Sequence, residues 1–337
     1  MQGAAKASAR VRLKSRWYWT WGLTALIAGG ATVAAVLGHK VGQPLVFAVA
    51  VLAMMSVPYM AFAVTSVRRD VTKWFDRQGA KGLLWLVIAA VLCYTLYACG
   101  TAVFNPLALL RVAAFAALPA LFAWSAGRDG GVRWQDWCAV ACIWLPFNFA
   151  LLDGIWEWPE GQAGYIMNTP FAMNIALFTF IGYRRFPAVP FRFSLKLQHL
   201  PLIFAMLLGF MAIALPIGLG TGFLQLHPRL EWEKVVGQPL AIFFFIAVPE
   251  EFLFRGLLQG MLLQRLKRPA VAILIASLLF GISHWHNSGL PDFRYLGLAA
   301  IAGCFYGYTS WRTGSLTAAA LLHSAVDTLW DLFFHAG

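Results

Sequence analysis

Charged residues are scarce in this sequence, and their scarcity excludes an ordinary soluble domain. Asp, Glu, Lys and Arg make up 12% of the 337 residues, whereas 60% are hydrophobic and 15% are aromatic. Soluble globular domains carry about 25% charged residues. A chain of this composition is predicted to lie in a bilayer as a multi-pass integral membrane protein, which we expect in the cell membrane with lipid as a constant partner.

Acidic residues are scarcer than basic ones. The excess of Lys and Arg over Asp and Glu does not, however, predict a nucleic-acid partner. The chain has 26 Lys and Arg against 14 Asp and Glu, a formal net charge of +12. The basic residues gather in short segments between apolar runs, which is the pattern that sets membrane orientation. Most of them fall on one side when the N-terminus is placed in the cytoplasm, so we expect that orientation.

Cysteine is also sparse, and its pattern excludes a disulfide framework. The 5 cysteines lie inside apolar runs without clustering beside histidines, so they are expected to be small buried hydrophobes. A His-Glu-x-x-His helix is absent, as are a repeat of fixed period and a low-complexity tract. The sequence therefore lacks the signatures of a common class of zinc protease and of a repeat protein.

Apolar runs of about the length of a membrane helix make up most of the chain. Eleven can be marked, and a range of 9–11 spans allows for the short run at 169–183 and for Pro216 and several glycines in the run at 200–222. We therefore predict an all-α, polytopic bundle of transmembrane helices. The runs cover residues 17–38, 42–66, 83–104, 107–126, 137–153, 169–183, 200–222, 239–263, 270–286, 295–311 and 315–334.

A basic loop with two prolines, near residues 184–198, is the clearest internal joint. We divide the chain there into an N-terminal accessory transmembrane region, residues 1–196, and a C-terminal core, residues 197–337. The N-terminal region offers little chemistry, because Arg111 and Asp153 in or beside its spans have no neighbouring titratable cluster. We expect it to be a packing unit.

Three charged residues interrupt the apolar run at 239–263. Glu250, Glu251 and Arg255 each cost roughly 2.5 to 3.5 kcal/mol at hydrocarbon depth, so they require a protected interior and partners. Glu251 precedes Arg255 by four residues, the favourable order for a helical ion pair. Glu250 is turned about 100° away on the helix and is left as the freer carboxylate. Pro249 removes a helical hydrogen bond just before them and is expected to kink the span.

Two later spans add polar groups at helical spacing. Phe280 and His284 share a face of one span, and His323 and Asp327 share a face of the last. A His–Asp pair at this spacing can fix the imidazole tautomer or present both groups to one ligand. Three helices that bring such groups together meet the needs of hydrolysis: a base for water, a donor for the oxyanion and exclusion of solvent.

Each of these residues can be given a role in hydrolysis. We assign Glu250 as the general base and His284 as the residue that holds and polarises the same water. His323 stabilises the tetrahedral oxyanion, and Asp327 orients His323, because an ionised carboxylate can only accept a hydrogen bond. The supporting residues are Glu251, Arg255 and Phe280.

These patterns resemble the three motifs of the CPBP family, the intramembrane CAAX endopeptidases and bacteriocin-processing proteins. Glu250-Glu251-x-x-x-Arg255, Phe280-x-x-x-His284 and His323-x-x-x-Asp327 occur in that order, and Tyr308–Leu316 is similar to the link before the family's last motif. The resemblance covers about residues 239–332. In the family the third motif commonly ends in Asn, so Asp327 is a departure.

The resemblance implies a glutamic intramembrane endopeptidase of the type II CAAX prenyl endopeptidase kind. In such an enzyme the first-motif glutamate activates water and the second-motif histidine assists. The predicted substrate is a membrane-associated or lipidated peptide or protein, and we expect neither a cofactor nor a nucleic-acid partner.

Three other functions are compatible with the same residues. A zinc-dependent intramembrane metalloprotease could use the glutamates and histidines, with His286 and Asn287 beside His284, although Arg255 would repel the cation. A proton-coupled transporter also carries buried Glu, His and Asp, but is commonly built from two related halves. A non-catalytic membrane scaffold or immunity protein could retain the motifs without activity.

Overall fold

A computed structural model describes six stretches of the chain, and helices make up most of them. This architecture confirms the predicted all-α class. His286 and Asn287, considered above as extra metal ligands, lie outside the described residues. The described stretches are residues 20–33, 42–158, 163–186, 191–230, 232–285 and 292–336.

Several of the helices have the length and composition of membrane spans. By these two criteria four described segments can cross a membrane: α2, α4, α5 and Leu197–Gly220, which contains α8; α1 and α12 are shorter apolar helices. The total of eleven spans stays a prediction. The helices are α1 Thr20–Val33, α2 Gln43–Ala61, α3 Thr65–Gln78, α4 Ala80–Thr101, α5 Pro106–Ala126, α6 Trp134–Asn148, α7 Ala163–Ala176, α8 Leu200–Gly220, α9 Trp232–Ile242, α10 Val248–Glu251, α11 Gln259–Leu266, α12 Pro269–Ile282, α13 Phe293–Thr313 and α14 Leu316–Phe333.

The helices group into two compact units. One consists of residues Met1–Gly130 and Ala150–Arg185, and the other of Gly131–Phe149 and Phe186–Gly337. The second unit contains all the candidate site residues, together with α6 and α8 to α14. The functional division at residue 196 stays a prediction.

Helices α12 and α13 pack together through small side chains in the second unit. A Cβ atom on Gly281 would lie 2.6 Å from the carbonyl oxygen of Leu296, and one on Gly303 would lie 2.9 Å from the Cβ of Ser277. Small residues let the two backbones approach closely, as is common between membrane helices. Gly303 also accepts a hydrogen bond from Arg255 through its carbonyl oxygen, which links α13 to the segment that carries the carboxylates.

We expect Gly303→Ala to destabilise the protein by about 1 to 3 kcal/mol, because overpacking forces backbone shifts. The added Cβ would also lie 3.0 Å from the Cα of Ser277, which cannot rotate away. Gly297→Ala on the same helix is the matched control, since a Cβ there meets nothing within 4 Å. Thermal unfolding in detergent checks the difference. Equal unfolding temperatures for the two variants would contradict the packing argument.

The predicted run at 239–263 is helical throughout, but its helix type changes around the carboxylates. Helix α9 is followed by a π-helical turn at Phe243–Ala247, then by α10 with Glu250 and Glu251, and then by a second π-helical turn at Phe252–Leu258. Pro249 lies at the start of α10. Proline lacks the N–H for a helical hydrogen bond and its ring clashes with the preceding turn of a regular α-helix. Here the preceding turn is a wider π turn, which leaves room for the ring. Inserted π turns are rare and occur frequently at functional sites.

The second unit also contains a short antiparallel sheet of two strands. This sheet was not predicted from the sequence. Strand β1, Leu224–Leu226, pairs with β2, Phe334–Ala336, so that Gln225 lies opposite His335. The pairing ties the end of α14 to the segment that follows α8.

Candidate active site

The Glu251–Arg255 ion pair is the most deeply buried part of the site. Arg255 Nη1 donates to Glu251 Oε1 over 2.8 Å, and the two side chains are 1% and 0% exposed. The pair expected from the four-residue spacing is therefore present. Because both charges are fully removed from water, each depends on the other and on the hydrogen bonds around it.

Arg255 is held by three further groups. Its Nη2 donates to the carbonyl oxygen of Gly303 over 3.2 Å. The guanidinium carbon lies 4.3 Å from the ring centroid of Phe280 and 5.2 Å from that of Tyr306. Cation–π contacts of this kind strengthen when they are desolvated. Phe280 supports the site by fixing the arginine as well as by its place beside His284.

His323 connects the ion pair to the outer carboxylates. Its Nδ1 lies 3.0 Å from Glu251 Oε1, and its Nε2 lies 3.3 Å from Asp327 Oδ2. The ring stacks on Tyr306 at a centroid distance of 4.6 Å and an interplanar angle of 18°. A ring flanked by carboxylates at both nitrogens and by an aromatic face is fixed in orientation.

Glu250 and Asp327 are the two more open carboxylates. Their side chains are 29% and 34% exposed, in contrast to the buried Glu251. Glu250 Oε2 lies 3.8 Å from His323 Nε2 and has no hydrogen-bond partner among the described residues. The imidazole edge of His323 thus faces both carboxylates, one from α10 and one from α14. This oxygen is buried, and its capacity to accept a hydrogen bond is unused among the described residues.

His284 lies just after α12, with one ring nitrogen engaged. Its Nδ1 lies 2.8 Å from the carbonyl oxygen of Phe280, which can only accept, so Nδ1 carries the proton. In the neutral ring the lone pair is then on Nε2. The imidazole also contacts the rings of Phe280 at 4.7 Å and Tyr295 at 5.0 Å between centroids.

The structure brings most of the predicted site residues into one connected network. Phe280 links its two halves, since its ring contacts His284 and also lies 5.6 Å from the ring of His323. Sequence reasoning missed Tyr306, the Gly303 carbonyl and Tyr295. Tyr306 lies directly before Gly307 in the Gly303-x-x-x-Gly307 pattern, which predicts a close helix contact and was the available signal.

The positions of the acidic and histidine side chains can be compared with the needs of the zinc-dependent alternative. Within the part of the chain that the structure describes, no group of three or more His, Cys, Asp and Glu is placed to hold a metal ion. Glu251 Oε1 already lies against Arg255 and His323. The expectation of a metal-free site stays a prediction.

The fold and the site define an all-α protein with apolar helices and a buried Glu–Arg–His network, an arrangement typical of functional sites inside membrane proteins. Residues 232–329 match the family described as Type II CAAX prenyl endopeptidase Rce1-like. This match contains all three motifs and confirms the resemblance drawn from them. The family is one of CAAX-processing proteases. No curated protein and no solved structure was found to match the chain.

Proposed function

We propose that this protein is an intramembrane endopeptidase that uses a water molecule activated by Glu250. Its substrate is a peptide bond of a membrane-associated or lipidated peptide or protein, and its location is the cell membrane. The observation that carries the proposal is the buried Oε2 atom of Glu250, which has no hydrogen-bond partner among the described residues and lies 3.8 Å from His323 Nε2.

The carboxylate of Glu250 suits the role of general base. In the first step Glu250 takes a proton from water while the water oxygen adds to the carbonyl carbon of the peptide bond. The negative charge moves to the carbonyl oxygen. In the second step that intermediate collapses, the C–N bond breaks, and the proton passes from Glu250 to the departing amine.

His323 suits the role of oxyanion stabiliser. Its two nitrogens lie near Glu251 and Asp327, and a ring that donates from both nitrogens carries a positive charge. A fixed positive charge stabilises a developing oxyanion, and Nε2 can turn its hydrogen bond from Asp327 to the oxyanion as that charge develops. Asp327 and Glu251 then act through His323 by holding its ring.

His284 suits the role of water ligand. With Nδ1 committed to the Phe280 carbonyl, Nε2 can accept a hydrogen bond from the attacking water. This would orient the water lone pair toward the substrate carbonyl. The rings of Tyr295 and Phe280 both contact the imidazole and support its orientation.

A direct test uses a peptide that ends in Cys-a-a-X, with and without a prenyl group on the cysteine. The reconstituted full-length protein is expected to release the C-terminal fragment from a lipidated peptide, as detected by mass spectrometry. Faster cleavage of the prenylated peptide would assign the lipid as a recognition element. Absence of cleavage of both peptides would remove this substrate class.

The zinc alternative predicts a different response to chelation. We expect cleavage to survive exhaustive treatment with a chelator, because the proposed base and oxyanion donor are side chains. Metal content is measured on the same sample by mass spectrometry. Loss of activity that is restored by added Zn²⁺ would establish the metalloprotease mechanism instead.

A further inference from the structure

Helix α3 in the first unit lies between two span-length helices but cannot itself be a span. Its 14 residues, Thr65–Gln78, contain six charged side chains. It connects α2 to α4, both of which are long and apolar enough to cross a membrane. By connectivity α3 therefore lies where two spans reach the membrane surface.

A buried aromatic side chain fixes α3 against the rest of this unit. Phe75 is fully buried in an apolar cluster with Leu83 and Tyr183. A Cβ on Gly82 would lie 2.6 Å from the Phe75 ring, and a Cβ on Gly182 would lie 2.7 Å from it. Both glycines make room for the ring, so α3 packs closely at Phe75 against α4 and the Leu177–Tyr183 π-helical segment.

Two arginines from other segments bind the C-terminal end of α3. Arg128 donates to the backbone oxygen of Phe75 over 2.8 Å and to Asp76 Oδ1 over 2.9 Å. Arg185 pairs with the same carboxylate. Asp76 is thereby neutralised by two arginines from other segments, and the helix presents a fixed outer face.

The outer face of α3 carries a row of basic side chains. Arg69, Lys73 and Arg77 are exposed and follow one another at four-residue spacing, so they lie on one side of the helix over about 12 Å. None of the three has an ion-pair partner among the described residues. Asp70 is the remaining exposed acid of α3, which leaves the face net positive.

We propose that this basic face, defined as Arg69, Lys73 and Arg77, binds the headgroups of anionic membrane phospholipids. The fixed cations match the phosphate charge, and the two flanking spans place the face at the depth of the headgroups. Near an anionic membrane surface each Lys or Arg contributes about 1 kcal/mol, which is about a fivefold change in affinity. The three residues belong to the first unit and none is a candidate active-site residue, so the proposal does not depend on the proposed activity.

Lipid retention by the full-length protein tests the proposal. The protein is purified in a neutral detergent and titrated with equal amounts of phosphatidylglycerol and phosphatidylcholine, and bound lipids are counted by native mass spectrometry. The Arg69→Gln/Lys73→Gln/Arg77→Gln variant is expected to bind phosphatidylglycerol about 10- to 100-fold more weakly. Higher salt should weaken binding to the unsubstituted protein in the same direction.

The matched control removes the same charge elsewhere. Lys196, Lys267 and Arg268 are also exposed but do not share one helix face, and replacing all three by Gln should weaken phosphatidylglycerol binding less than the α3 triple substitution does. Thermal unfolding verifies that both triple variants are folded. Lys73→Gln alone, with an expected fivefold loss, carries the test if the triple variant is not folded.

Four outcomes would overturn the proposal. These are undiminished phosphatidylglycerol binding by the α3 variants, an equal loss in the control variant, displacement of the lipid by equimolar inorganic phosphate, and preferential binding of a single-stranded oligonucleotide. A selective loss in the α3 variants with neither competitor effective supports it.

Discussion

The Glu250→Gln variant is expected to lose peptide cleavage by a factor on the order of 10² to 10⁴ while keeping its fold. Glutamine is nearly isosteric with glutamate but cannot take a proton from water. The Oε2 atom has no hydrogen-bond partner among the described residues, so the substitution breaks no hydrogen bond there and removes only the charge contact with His323 Nε2 at 3.8 Å. Initial cleavage rates and thermal unfolding of the same preparation separate the two effects.

A control for that variant removes one carboxylate charge outside the site. Glu157 is exposed and lies in the first unit, and Glu157→Gln is expected to cleave at the unsubstituted rate. Cleavage by Glu250→Gln at more than about a tenth of that rate would remove Glu250 as the general base.

The Arg255→Met variant is expected to unfold more easily by about 3 to 5 kcal/mol, because among the described residues it leaves the buried Glu251 charge with His323 alone as its partner. The carboxylate is fully buried, and the guanidinium also binds the Gly303 carbonyl and two aromatic rings. Thermal unfolding in detergent measures the loss. Cleavage is expected to fall as well, since His323 shares the same Glu251 oxygen.

Two further variants isolate the cause. Glu251→Gln/Arg255→Met removes both charges and is expected to be more stable than Arg255→Met alone. Arg268→Met replaces an exposed arginine and should change stability by less than about 0.5 kcal/mol. A double variant no more stable than the single one would place the loss in packing rather than in the unpaired carboxylate.

The local part of the site could be predicted from the sequence because helical geometry decides it. Glu251 and Arg255 pair across one turn, and His323 and Asp327 lie within 3.3 Å at the same spacing. Charged side chains are costly at hydrocarbon depth unless they are paired, so partners for these polar groups could also be expected. The all-α class followed from composition in the same way.

The tertiary part of the site could not be predicted. The contact between Glu251 and His323 joins residues 72 positions apart, and no spacing rule indicates it. The stacking of Tyr306 on His323 depends on how α13 packs against α14, and the small residues of α13 indicate a helix contact without indicating its partner. The π turns around Glu250 reflect local packing, and the β1–β2 pair joins two short segments without strand periodicity.

The membrane proteome is where hydrolysis by Glu250 can be tested without knowing the substrate. Membranes are compared from otherwise identical cells that produce the unsubstituted protein, Glu250→Gln or Glu157→Gln, and the termini of membrane-associated peptides and proteins are sequenced by mass spectrometry. We predict at least one species that keeps an uncut terminus only in the Glu250→Gln cells. Termini that are processed equally in all three, with the variants present at equal levels, would contradict catalysis by Glu250.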